Sequence, residues 1–215
     1  MKKQYVVFGA GKFGWSVAVT LEELGCEVMV VDHNAELIQD IAGYVSYAVC
    51  VNIEEPDAFE GLGLHNMDGA IVAITESLEA SIVTVMMCHE AGVPRIFAKA
   101  RNKTHEKILK SVGAHKIIFP ELEMGKKTAK YIVVDNFMDW IELSPKYSLV
   151  EMEIPRAWRG RTLQELRIRE KYHVNVIGYK NGDVMDINMN PAVPLPSEGV
   201  LVVIGENGAI ESIHR

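Results

Sequence analysis

The first 120 residues alternate short apolar runs with helical stretches, and this alternation constrains the fold more than any other feature. The runs at 5–8, 27–31, 47–51, 69–74, 95–98 and 116–119 are apolar without a break, not at every second position. Runs of this kind are strands covered on both faces. Between them 13–24, 36–42, 56–62, 78–91 and 104–112 read as helices, the fourth stopped by Gly92 and Pro94. Six strands joined by helices predict a doubly wound, Rossmann-like α/β domain with a parallel sheet.

The pattern then changes. Residues 124–141 read as helical, with Tyr131, Val134 and Met138 on one face. This is a crossover or linker helix, or equally the last helix of the sheet domain. From 148 onward 149–154 alternates as a half-exposed strand, 163–171 follows Thr162 as a helix, and 174–179 is a strand running into a hairpin turn at 180–183. Pro191, Pro194 and Pro196 mark a loop, 199–204 is a further strand, and a terminal helix begins near Gly208. The expected domains are thus 1–123, Rossmann-like and nucleotide-binding, 124–147, the crossover, and 148–215, a small α+β domain. A core that small draws stability from a partner or from the first domain.

The motif with the most chemistry is Gly9-Ala10-Gly11-Lys12-Phe13-Gly14, directly after the first strand and opening the first helix. Gly9 permits the tight turn, Gly11 leaves room for a pyrophosphate, and Gly14 lets the helix approach the sheet. Exposed N–H groups at the helix start then hold phosphate. Asp32 ends the second strand, where a carboxylate accepts from ribose hydroxyls and disfavours a 2′-phosphate, so NADP is not expected. NAD, NADH, ADP and ATP all satisfy the motif. Lys12 inside the loop, and Lys99 and Arg101 at the end of the fifth strand, favour a phosphate tail, unless they are plain surface charges. Glu121 and Glu123 follow Pro120 as a carboxylate pair that holds a divalent cation beside such a tail or as simple surface acids.

Other classes fit poorly. With 22 Lys and Arg against 29 Asp and Glu, the net charge of −7 disfavours nucleic acid as the partner. The apolar runs are far shorter than a membrane span, and the N-terminus lacks a signal-peptide core, so a soluble, cytoplasmic protein is expected. Cys26, Cys50 and Cys88 are read as buried, reduced thiols. The seven histidines are scattered, and no HExxH, paired-cysteine or GxSxG motif is present. An NAD-dependent oxidoreductase, or a nucleotide sensor acting on some other partner, remain the alternatives to a binding role.

These residues resemble the cytosolic regulatory subunits of bacterial potassium uptake systems, the Trk and Ktr type. The loop Gly9–Gly14, the stretch 30–34 with Asp32 and His33, and above all 99–109 and 112–121 carry the resemblance, with 160–166 and 195–205 matching the C-terminal domain. It implies a regulator of potassium conductance, not an enzyme, that switches a channel by binding ATP against ADP, with NAD or NADH bound in some relatives. It implies dimers assembled into an octameric ring under a channel membrane subunit, at the inner face of the cell membrane. It also implies cyclic di-AMP as a ligand of the C-terminal domain, with Arg169, Asn175 and Pro194 as positions for it. Three departures stand out. Val51-Asn52 replaces a Gly-Asp pair, so that Asn52 takes the adenosine end; Thr75-Glu76 replaces a Thr-x-Asp pattern; and Lys12 stands where Ktr members carry arginine.

Overall fold

The computed structural model describes residues 2–55, 57–133 and 137–213, with backbone alone at 130, 131, 133, 137 and 138. The chain divides into two compact units, Met1–Glu121 and Leu122–Arg215.

In the first unit six strands form one parallel sheet. They are β1 (Gln4–Phe8), β2 (Glu27–Asp32), β3 (Tyr47–Cys50), β4 (Gly69–Val72), β5 (Ile96–Lys99) and β6 (Lys116–Ile118). Four helices join them: α1 (Lys12–Glu23), α2 (Ala35–Ile41), α3 (Leu78–Glu90) and α4 (Lys103–Ser111). The spatial order is β3-β2-β1-β4-β5-β6. The unbroken apolar runs are explained by two cores. Val6, Phe8, Ala70 and Val72 pack with Val85 and Cys88 of α3 and Leu109 of α4. Their neighbours Val7 and Ile71 point the other way, toward Ala18 of α1 and Ile38 and Ile41 of α2. A strand feeding both cores has no face left for polar residues.

The second unit is built on an antiparallel sheet of order β10-β9-β11-β8-β7. Its strands are β7 (Phe137–Glu142), β8 (Tyr147–Glu153), β9 (Val174–Asn181), β10 (Val184–Asp186) and β11 (Val200–Glu206). Val150, Met152, Leu201, Val203 and Val174 line its core with Trp158, Leu166 and Ile210.

Four sequence expectations are corrected. The helix expected over 124–141 is α5 (Pro120–Val133), followed by β7, which pairs with β8. Aromatic and β-branched residues at Trp140 and Ile141 suit a strand, and the ladder to β8 overrides the helical spacing. The side chains of Tyr131, Val134 and Met138 lie outside the described residues. Over 57–62 the chain forms turns instead of a helix, with Gly61 and Gly63 at φ of 81° and 62°; Pro56 lies outside the described residues. The 163–171 helix is two pieces, α6 (Leu163–Leu166) and α7 (Ile168–Tyr172), broken at Arg167 with φ 48°. Of the cysteines only Cys88 is fully buried, its thiol pushed up to about 12 by burial, while Cys50 is exposed at the end of the edge strand β3. The chain closes with α8 (Asn207–Ser212); His214 lies outside the described residues.

Candidate nucleotide site

Strand order reverses between β1 and β4, and ligands of open α/β sheets bind in the crevice beyond the carboxyl ends of the strands there. Three glycines shape it, each for a different reason. Gly9 takes φ 99°, and a Cβ on it would lie 3.2 Å from the Ala73 carbonyl carbon, where the chain leaves β4. A Cβ on Gly14 would lie 1.8 Å from the Gly9 carbonyl oxygen, so the first turn of α1 rests directly on the loop. Gly11 differs from both. Its φ of −64° suits any residue, and a Cβ there would meet nothing within 4 Å. The protein's own packing gives no reason for a missing side chain at Gly11; the space is open.

Gly11 is also the N-cap of α1, so it provides no side-chain acceptor, and the first turn holds no acidic residue. The first N–H groups of a helix have no partner within it and carry its positive end. The neighbouring helices solve this internally: Asn34 caps α2, Ser77 caps α3 and Asn102 caps α4. The helix at the crevice has no side-chain cap, and helix starts with free N–H groups are able to accept anions.

Asp32 reaches the loop from β2. Its Oδ2 accepts from the Ala10 N–H at 2.7 Å and its Oδ1 from the Asn34 N–H at 2.8 Å. The carboxylate is 9% exposed and therefore fixed, yet each oxygen keeps acceptor capacity for a ribose hydroxyl. The exposed His33 places Nδ1 3.2 Å from Asp32 Oδ1. Asn52, two residues past β3, is exposed, and its Oδ1 accepts from the Glu54 N–H in a local turn at 3.2 Å, leaving the amide nitrogen for a ligand.

On the other side of the crevice, Lys99 ends β5. Its Nζ lies 5.8 Å from the Phe13 ring centroid and 2.6 Å from Glu121 Oε1. Lys12 is the first residue of α1 and is exposed, as is Arg101 beyond β5. The bond from Lys99 holds the Glu121 carboxyl below the usual carboxylate range, and among the described residues no group of three or more His, Cys, Asp or Glu side chains is placed to hold a metal ion.

Sequence reasoning missed several supports of the site. His105 is buried, and burial, then the Arg101 charge, lowers its pKa, so its neutral Nδ1 accepts the Arg101 N–H at 3.3 Å and shapes the turn after β5. Glu22 Oε1 accepts from the N–H groups of Val28 and Ser46, tying α1 to the starts of β2 and β3. Only the Asn102 cap carried a readable signal, a short amide just ahead of a helix.

In the second unit a cleft of about 320 Å³ is lined by Gln164, Arg167, Ile168, Arg169, Glu170 and Asn175, among others. Arg167 and His173, with φ of 48° and 56°, bracket α7 along it. Left-handed backbone is uncommon at residues other than glycine and costs some strain. Pro194 is not in the lining; it bridges to Thr162.

Comparison with known proteins agrees with this division. The TrkA-N domain model matches residues 5–120 and the TrkA-C domain model residues 149–215. The chain is 39% identical over 205 residues to Ktr system potassium uptake protein C of Bacillus subtilis (strain 168), covering 95% of this chain and 93% of that one. It is 34% identical to Ktr system potassium uptake protein A of the same organism, covering 99% and 96%. Among solved structures, the GsuK channel bound to NAD shares the fold at 16% identity and a TM-score of 0.51, covering 99% of this chain; the present chain spans 38% of that channel's length.

Proposed function

Because the chain belongs to the TrkA-N and TrkA-C domain family, that of the Ktr potassium uptake proteins, we propose that it is the regulatory subunit of a potassium uptake channel and not an enzyme. The observation that carries the nucleotide reading is the uncapped start of α1 beside the open space at Gly11, facing an oriented Asp32. An adenine nucleotide places its pyrophosphate on the N–H groups of the first turn, its ribose on Asp32 and its adenosine end toward His33 and Asn52. Lys12 adds charge to the phosphate tail. The site binds and orients; its side chains are engaged in holding the loop and its surroundings.

ATP and ADP are the regulatory pair, and NAD or NADH fit the same loop. A switch needs differential affinity: a ligand that binds two assembly shapes equally shifts neither. The subunit acts as a dimer, further assembled into an octameric ring under a channel membrane subunit, at the inner face of the membrane. No helix of the described residues is long and apolar enough to cross a membrane; in this reading attachment to the membrane runs through the channel. The cleft of the second unit is the place we assign to cyclic di-AMP: Arg169 and Asn175 in its lining offer a charged and an amide donor to phosphate and base.

The test is titration of the purified chain with ATP, ADP, NADH and cyclic di-AMP, with the particle mass measured in each state, and capture from membranes of the source cell. Tight binding of ATP and ADP with different masses or shapes, and capture of a channel subunit, are expected. A soluble partner in place of the channel, or turnover of NADH with any substrate, refutes the reading.

A further inference from the structure

The first sheet ends at β3 in an open edge of one charge sign. Among the described residues β3 pairs only with β2, and the Val51 N–H bonds to the Asp32 carbonyl. Alternate residues of a parallel strand bond to the same neighbour. Tyr47 and Val49 therefore direct their backbone groups to β2, and Ala48 and Cys50 turn theirs to the open side. A tyrosine flanks this edge on each side. Tyr47, 56% exposed, shares the face of Val49, which packs with the core of Val6 and Phe8. Tyr44, 60% exposed, lies with its ring centroid 5.6 Å from that of Trp15, which packs with the core of Val7 and Ile38. Carboxylates flank the edge likewise: Glu36 and Asp40 on α2, and Glu55, Asp57 and Glu60 in the turns after β3, all exposed. Residues 13–94 hold fourteen Asp and Glu and no Lys or Arg. Among the described residues no Lys or Arg pairs with any of these five carboxylates.

We propose that the open edge of β3 receives an extended, Lys- and Arg-rich cytoplasmic segment of the channel subunit as an added strand. The inference rests on the reading of this chain as a channel regulator and adds the face by which the two are held together. An added strand gains affinity from main-chain bonds, here to Ala48 and Cys50, and selectivity from side chains that alternate between two faces. Each face of this edge offers an aromatic ring and carboxylates, so a basic side chain finds a cation–π partner and an ion pair on either one. Cytoplasmic loops of membrane proteins carry an excess of Lys and Arg. Nucleic acid and anionic lipid have the same sign as the edge and are repelled. A second copy of the chain fits less well. The outer strands of its second sheet, β7 and β10, carry Asp139, Glu142 and Asp186, and β6, the other outer strand of its first sheet, offers Lys116 alone.

The test uses the full chain co-expressed with the channel subunit in membranes, with the photo-crosslinker p-benzoylphenylalanine in place of Tyr47. Irradiation is expected to join it to a Lys- and Arg-rich cytoplasmic segment of the channel, identified by peptide mass spectrometry. Asp40→Lys combined with Glu60→Lys should lower the fraction of chain retained by the channel about tenfold at low salt. The gap should narrow at high salt, where the wild-type contact is screened as well. Nucleotide titration of that variant should match the wild type, since neither residue touches the loop 9–14 or Asp32. Ala48→Pro removes one outward N–H, leaves the ladder to β2 whole and should abolish the adduct. If Ala48→Pro does not fold, the crosslink and the charge reversal decide alone. An adduct that survives Ala48→Pro, one with a second copy, or one with a channel segment free of basic residues overturns the proposal, as does retention that the charge reversal leaves unchanged. A wild-type chain that holds no channel at any salt concentration overturns the regulatory reading, and this inference with it; one that holds the channel while the label reaches no basic segment overturns this inference only.

Discussion

Gly11 and Gly14 lie three residues apart in one loop, yet substitution should affect them in opposite ways. At Gly14 the added methyl carbon of alanine would lie 1.8 Å from the Gly9 carbonyl oxygen, 3.0 Å from the Gly9 carbonyl carbon and 3.3 Å from Ala73 Cβ. The nearest atoms are backbone, so no rotamer relieves the contact, and the loop and helix must part by more than an ångström. Overpacking of this kind costs about 1–3 kcal/mol, only partly offset by the roughly 1 kcal/mol by which alanine exceeds glycine in a helix. Gly14→Ala should therefore melt several degrees below the wild type. Gly11→Val places its side chain where the protein has nothing within 4 Å, at a φ of −64° that valine tolerates. The only structural cost is a poorer N-cap, worth a few tenths to about 1 kcal/mol. Its melting temperature should stay near that of the wild type while ATP and ADP binding falls about a hundredfold or more, because the side chain occupies the pyrophosphate's place. Differential scanning calorimetry and isothermal titration on the same samples separate the two effects. Wild-type affinity in Gly11→Val would show that the loop does not cradle phosphate. An unchanged melting temperature in Gly14→Ala would show that the helix does not rest on the loop as described.

Asp32→Ala should weaken ATP, ADP and NADH together, by about tenfold, since it removes a ribose acceptor and the anchor of Ala10 at once; titrations that single out one nucleotide would contradict this. Lys12→Ala should lose more affinity for ATP than for ADP, by about 1 kcal/mol, and the difference should shrink in high salt because the residue is exposed; equal losses at all salt concentrations would remove it from the phosphate tail. Glu22 bears on acid stability. Burial raises its pKa, but bonds from Ser46 and Val28 outweigh this and leave it below the ordinary carboxylate value. A carboxyl lowered in the folded state stabilises fully above its unfolded pKa, and that contribution fades as pH falls through the folded one. Denaturant titrations should thus show Glu22→Gln less stable than the wild type at neutral pH, with the gap closing in acid; a gap independent of pH would mean that the charge contributes nothing.

What could be read from the sequence was what repeats or what a single backbone conformation demands. Six unbroken apolar runs could only be strands between two helical layers, and their alternation with helices made the sheet parallel; the strand order is seen only in the structure. Gly9 and Gly14 were legible because a tight turn and a close approach each exclude a side chain. The failures share a cause. Residues 137–142 carry residues that fit a helix by spacing, and only the partner strand β8, next in sequence but formed in space, makes them a strand. Arg167 interrupts a helical pattern with no glycine or proline to announce it.

The site shows the same division at the level of single side chains. Residue type told that Asp32, Lys99 and Glu121 carry the right charges, but charge says nothing about prior commitments. Asp32 is already bonded to Ala10 and Asn34, so its first effect is to fix the loop, and a ribose in the proposed site would meet a carboxylate already oriented. Glu121 and Lys99, read separately as a cation ligand and a phosphate ligand, are each other's partner. A group that must leave one partner to meet another delivers only the difference between the two bonds to binding. The charge of such a group therefore contributes less to binding than its formal value suggests.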